Sequence, residues 1–273
     1  MALDTQLLSS IFSPSTNDNS TLLNEDDWNF INDISDKFPE RRPTIKQRFE
    51  IFEMLKPHKR PACALEFLKH LPRAGFVERK FAPETIESIY EHSRLMRHMI
   101  SEVFNNNALC ETIGIDNTPK NKRIALRLAL VHDIAEALTT DFTPSDLQDI
   151  ISRDEKTRLE DLACRIIFAE DDKMLRMIER YEHKDTNIDK LNKVVDILEG
   201  LVDCAVMDKK GQFFPEWNNT AANMLKPYPE MMDAFAAKAI TNIKQAFFCQ
   251  NIAKIKCPTA KRRSVASMAL KAA

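Results

Sequence analysis

The chain has 273 residues, of which 44% are hydrophobic and 29% charged, a globular composition with enough apolar side chain for a substantial core, which excludes disorder throughout. Four glycines stand where average usage would place about 19. Hairpin-rich sheets, Rossmann turns and phosphate-binding loops need glycine at special backbone angles and are therefore disfavoured, while a net charge of −2 and a pI near 6.3 give no basic excess that would mark nucleic acid as a partner.

Residues 1–43 hold eight acids against three bases, with a polar, turn-rich cluster from Ser13 to Ser20 and a weakly amphipathic stretch around Trp28, Phe30 and Ile31. Residues 1–61 read as an N-terminal extension, part disordered and part packed on the body. Helical signals begin at 44–55 and continue at 62–71, which is introduced by Pro61. The segment Leu71–Val77 reads as a non-helical link to a helix at about 85–106. Thr118 as cap and Pro119 at the first helical position announce a helix running to about 138. Further helices fit 152–169, 171–182, 185–207, 218–225 and 229–248, with no strand-like alternation and no repeat, so the fold class is all-α. Residues 250–273 form a tail whose charges, from 251 onward, are six bases and no acid. Such charge runs are usually solvated.

The cysteines at 63, 110, 164, 204, 249 and 257 are widely spaced, without a C-x-x-C, and read as reduced thiols of a cytoplasmic protein. No uncharged run reaches the roughly 18 residues of a membrane span, and Asp4 stands where a signal peptide carries bases. No membrane partner is expected, and a homodimer is left open.

Two helices carry charge where apolar residues belong. Eleven of the 15 residues from Ile124 to Leu138 are apolar, all the way round, as in a buried helix. At about 100° per residue, His132, Asp133 and Glu136 would share one arc of that helix. From Val194 to Met207 the chain is apolar apart from Gly200 and the acids Asp196, Glu199 and Asp203, which form one stripe. His92 lies on the apolar face of a third helix, with Ile89, Met96, Met99, Ile100 and Val103. Taken singly, each has a bland explanation: a satisfied core histidine, a solvated acidic face, a chance His-Asp pair. Together, His92, His132, Asp133 and Asp196 make a set of two imidazoles and two carboxylates on apolar backgrounds. Buried charge of that kind needs compensation, and the set suits one divalent ion of octahedral habit (Mn, Co, Fe, Ni or Mg) better than a closed tetrahedral zinc. Asp189 and Glu199 are the alternatives for the fourth ligand.

The order His, His-Asp, distant Asp resembles the HD-domain metallophosphohydrolases, and the flanking residues resemble their 5'-deoxynucleotidase-like branch. The segments are Leu71–Val77, Ile89–Ser93, Leu128–Glu136, Thr140–Pro144, and Tyr181-Glu182 with Lys193–Asp196. Coverage is roughly 62–240, so 62–249 is taken as the HD domain. Phe76 stands where the family usually has Trp, and Thr140 where it usually has Gly. The resemblance implies metal ligands His92, His132, Asp133 and Asp196, with Glu136 orienting or deprotonating a water. It also implies that Arg73 contacts phosphate, that Phe76 packs on base or sugar, and that Asp141 binds the sugar or positions the nucleophile. The bland readings are that Arg73 pairs with an acid and Asp141 caps a helix. The implied reaction is release of phosphate from a (deoxy)nucleoside 5'-monophosphate. The alternatives are an HD phosphohydrolase acting on a different phosphoester and a catalytically silent metal-binding scaffold.

Overall fold

Side-chain caps decide where many of the helices start. A computed structural model describes residues 22–81, 86–207 and 215–238. Within them the order is α1 Glu25–Lys37, α2 Ile45–Met54, a 3₁₀ turn Pro57–Lys59, α3 Arg60–Leu68, α4 Ala74–Glu78, α5 Ile89–Phe104, α6 Asn107–Thr112, α7 Pro119–Val131, α8 Glu136–Thr139, α9 Pro144–Asp149, α10 Arg153–Ile167, α11 Asp172–His183, α12 Asn187–Met207, α13 Pro215–Leu225 and α14 Pro229–Lys238. Asn24, Thr44, Thr143 and Ser152 each close a reciprocal capping box with the third residue of the helix that follows. The all-α expectation holds, and among the described residues the β pairing is one isolated bridge, Pro72 with Ser88.

The chain divides into two units. The first comprises residues up to Glu91 together with Val131–Glu179, and the second His92–Leu130 together with residues from Arg180 onward. At the middle of the first unit lies α8, only four residues long, with α2, α3 and α10 all packed against it and α1 packed on α2. Ile31, Phe49, Phe52, Phe67 and Leu138 are buried there, and Phe52 meets Phe67 edge-on with centroids 5.5 Å apart. Arg60, buried at the head of α3, donates to the carbonyls of Leu55 (2.9 Å), Glu53 (3.0 Å) and Ile166 (3.1 Å). It thereby ties the ends of α2 and α10 to α3, which would otherwise leave buried carbonyls unsatisfied. The N-terminal extension thus supplies two packed helices, while its residues 1–21 lie outside the described residues.

The core of the second unit joins Leu95, Met96, Met99 and Ile100 of α5, Ala125 and Ala129 of α7, and Leu191, Val194 and Val195 of α12. The α12 set follows the 3.6-residue period of a helix with one buried face. Asp189, fully buried, accepts the Thr186 amide (2.9 Å) and hydroxyl (2.6 Å) and both Nε (2.9 Å) and Nη2 (3.0 Å) of Arg180, fixing where α12 begins.

Several elements differ from expectation. The link Leu71–Val77 contains the start of α4, the helix placed at 85–106 begins at Ile89, and the helix expected from 119 to 138 stops at Val131. Both α6 and α9, too short to show a period, were not predicted. The last helix is described to Lys238, and the rest of 229–248 and the basic tail lie outside the described residues. Among the described residues no helix is long and apolar enough to cross a membrane, and Cys63, Cys110, Cys164 and Cys204 are buried thiols.

Gly114 ends α6 in a Schellman turn: its amide donates to Glu111 O (3.1 Å) and that of Ile115 to Cys110 O (2.8 Å). Its φ is +67°, and a Cβ there would lie 2.8 Å from Asn187 Nδ2, which donates to Gly114 O. Gly114→Ala should therefore lower unfolding stability by about 1–2 kcal/mol, measured by urea denaturation with unchanged m-value.

Candidate metal centre

The turn after α7 sets one imidazole–carboxylate pair. From Val131 the backbone tightens to three-residue hydrogen bonds, Ile134 to Val131 O (3.1 Å), Glu136 to Asp133 O (3.0 Å) and Ala137 to Ile134 O (3.2 Å). Consecutive side chains on an α-helix do not face each other, so the continuous helix of the sequence reading would have splayed His132 from Asp133. In the tightened turn, His132 Nε2 lies 3.0 Å from Asp133 Oδ2, with the histidine side chain 1% exposed. Three-residue winding also eclipses positions three apart, bringing Glu136 over Asp133.

Glu136 is half-buried. Loss of water, then the neighbouring Asp141 and Asp133, push its carboxyl well above the usual range, with Lys156 opposing. Asp141 is likewise raised by burial, against the pull of Arg73 and of the Ala74 amide. That amide donates to Asp141 Oδ2 at 2.7 Å, so Asp141 satisfies the first turn of α4 while lying beside Arg73. Arg73 also pairs with buried Glu87, Nη1 to Oε1 3.4 Å. The two bland readings, a cap and an ion pair, are thus both present, and they bring Arg73 and Asp141 together. Phe76 is buried on α4, edge-on to Phe81 with centroids 5.8 Å apart. Between α8 and Asp141, Thr140 adopts φ 75°, ψ 163°, a region that costs a non-glycine residue about 1–3 kcal/mol.

The sequence reading missed Lys156 and Glu160, an ion pair one turn apart on α10. Such a pair is indistinguishable in sequence from an ordinary surface pair. Burial disfavours the charge of Lys156, but Glu160, Glu136 and Asp133 outweigh that and raise its pKa.

A second imidazole–carboxylate pair belongs to the second unit. His92, 1% exposed, has Nδ1 2.5 Å from Glu199 Oε2 and Nε2 3.3 Å from Asp196 Oδ1, and the latter pair is close enough to share a cation. The other Asp196 oxygen accepts from Lys193 Nζ at 2.7 Å. Glu199 meets the ring at Nδ1 and Asp196 at Nε2, and a metal-binding imidazole typically gives its second N–H to a carboxylate, while Glu199 is also close enough to His92 to share a cation with it. Asp189 is committed to Arg180 and Thr186.

The donor chemistry fits a divalent ion. Two ligands at right angles, each about 2.1 Å from a metal, are about 3 Å apart, and in each unit one imidazole Nε2 and one carboxylate oxygen stand at that spacing, 3.0 and 3.3 Å. In the first unit Asp133, Glu136, Asp141 and Glu160 gather around two cations, Lys156 and Arg73, an excess of negative charge that a metal would offset.

The HD-domain family model matches residues 65–226. The chain belongs to the HD-domain family. This HD-domain protein is similar to proteins named 5'-deoxynucleotidase HDDC2. The Xenopus laevis relative is 28% identical over 190 residues, 64% of this chain and 88% of the relative. The Homo sapiens relative is 29% identical over 189 residues, 66% and 84% of the two chains. A solved structure, a conserved hypothetical protein from Pyrococcus furiosus, aligns with 77% of this chain and 98% of its own at 17% identity and a TM-score of 0.42.

Because Asp189 anchors the start of α12 through Arg180, whose side chain is 33% exposed, and through Thr186, Asp189→Ala should lower stability by about 1–3 kcal/mol, the cost of leaving hydrogen-bonding groups without their partner. Metal bound per folded molecule, measured by elemental analysis of the refolded fraction, should stay at the wild-type value.

Proposed function

We propose that this protein is a metal-dependent phosphohydrolase that releases phosphate from nucleoside 5'-monophosphates, with a preference for deoxynucleotides. The observation that carries the reading is the imidazole–carboxylate pair at ligand spacing in each unit, accompanied in the first by Glu136. The printed names of the relatives at 28–29% identity support the nucleotide substrate. The HD domain would be residues 62–249, between the extension 1–61 and the tail 250–273.

His92, His132, Asp133 and Asp196 would hold one divalent ion of Mn, Co, Fe, Ni or Mg. Bound there, it would polarise a phosphoryl oxygen and lower the pKa of a water. Glu136, beside Asp133, would take a proton from the attacking water as the new O–P bond forms and the bond from phosphorus to the 5'-oxygen breaks. That proton is then available to the departing 5'-oxygen. Arg73, aimed by Glu87, would neutralise phosphate charge, and Lys156 adds a second cation near Glu136. Asp141 would hold the Ala74 amide and so the α4 start that bears Arg73, with Phe76 shaping the nucleoside side.

Chelation should abolish phosphate release, and a divalent ion should restore it. Glu136→Gln should keep metal and nucleotide binding but lose about 10²–10⁴ in kcat, the range for general acid–base groups. Wild-type turnover in that variant would make Glu136 structural.

An apolar wall that merely crowds a 2'-hydroxyl discriminates by about 10- to 200-fold. The ratio of kcat/KM for dAMP over AMP should fall in that range, toward the low end because Phe76 is smaller than Trp. Equal values would remove the deoxynucleotide preference while leaving the phosphohydrolase.

A further inference from the structure

Arg41 belongs to the extension, ahead of the family-matched residues 65–226, yet its guanidinium grips the segment that carries Asp141. Nη1 donates to Thr140 Oγ1 (2.7 Å) and to the Asp141 carbonyl (2.9 Å), and Nη2 to Asp146 Oδ2 (2.9 Å). Its central carbon lies 4.9 Å from the Phe38 ring centroid and 5.6 Å from that of Phe142, the two rings being 5.3 Å apart. The side chain is 17% exposed. Asp146 is itself fixed, accepting the Thr143 amide at 2.8 Å as part of the cap of α9. One planar fork thus spans both ends of the 140–146 turn, a geometry a lysine cannot reproduce.

The segment needs holding. Thr140, β-branched, sits at φ 75°, a conformation it leaves unless its surroundings over-determine it. Its amide is bonded to Glu136 O at 2.8 Å, so relaxation would disturb α8 on one side and Asp141, with its 2.7 Å contact to the Ala74 amide, on the other. A second arginine of the extension braces the same place. Buried Arg48 donates to Pro43 O (3.1 Å) and reaches Ala137 O (3.5 Å), with its pKa lowered to about 10 by burial and by Arg41.

We propose that Arg41 is a positioning residue for the hydrolysis: it holds the Thr140–Asp141 backbone in its strained form, so that Asp141 keeps α4, and with it Arg73, in place. This rests on the phosphohydrolase reading, and Arg41 acts through Asp141 without touching substrate.

The test uses the full chain, with R41A, R41K, T140G and the double variant R41A/T140G. Thermal melting and bound metal serve as controls for folding. The readouts are kcat and KM for dAMP, and hydrogen exchange at the Ala74 amide and residues 139–142 in metal-free protein. R41A and R41K should each lower kcat by about 10- to 100-fold with little change in KM, and R41A should speed exchange at Ala74 by about 10-fold. Because T140G removes the strain, R41A/T140G should return to within about twofold of T140G alone. The proposal is overturned if exchange at Ala74 is unchanged in R41A, if exchange changes while kcat does not, or if R41A has the same effect with and without T140G. If the wild-type chain turns over no monophosphate, the phosphohydrolase reading fails, and the exchange data still decide whether Arg41 holds the segment.

Discussion

Glu199 is fully buried, and a carboxylate in that position is tolerated only with a charged or hydrogen-bonded partner. The partner is His92, 107 residues away in sequence and 2.5 Å away in space. The same requirement recurs at Asp189, answered by Arg180, and at Asp141, answered by an amide 67 residues earlier. Apolar side chains tolerate small slides of one helix along another, whereas a buried charge does not. In each unit these pairs therefore fix the register of elements that hydrophobic packing alone would leave looser.

The break in the helix after Val131 follows from similar logic. His132 and Asp133 are neighbours in sequence whose Nε2 and Oδ2 lie 3.0 Å apart, a closeness that α-helical geometry disfavours and a three-residue turn allows. The short α8 that resumes the helix is then held by α2, α3 and α10. A four-residue helix has almost no stability of its own, so the placement of Glu136 is a property of its neighbours.

Much of this was legible in the sequence because the signals were local. Thr44, Ser152 and Pro119 marked helix starts, and the misplaced acids on an apolar background marked α12. What was missed was non-local. The stripe Asp196, Glu199, Asp203 does not say which acid meets the ring of His92 by Nε2 and which by Nδ1, since that depends on how α5 approaches α12. The helical period runs on through residues 132–135, so the tightened turn left no trace in the pattern. Arg41 stood in a stretch with no period at all, and its acceptors lie about 100 residues downstream. The grouping of charges that carries the proposed chemistry was therefore visible as residue types, and its geometry was not.

The first unit is built from two stretches of chain, one ending at Glu91 and the other running from Val131 to Glu179. During synthesis from the N-terminus, α1 and α2 leave the ribosome long before α8 and α10 exist to cover them. At about 5–20 residues per second, the wait for the second stretch lasts several seconds. Through that interval Phe49 and Phe52 have only the early helices for company, and Arg48 waits 89 residues for the carbonyl of Ala137. The intervening stretch must be bridged before this unit can close, which places its greatest exposure to chaperones and proteases before Glu136 and Asp141 have been made.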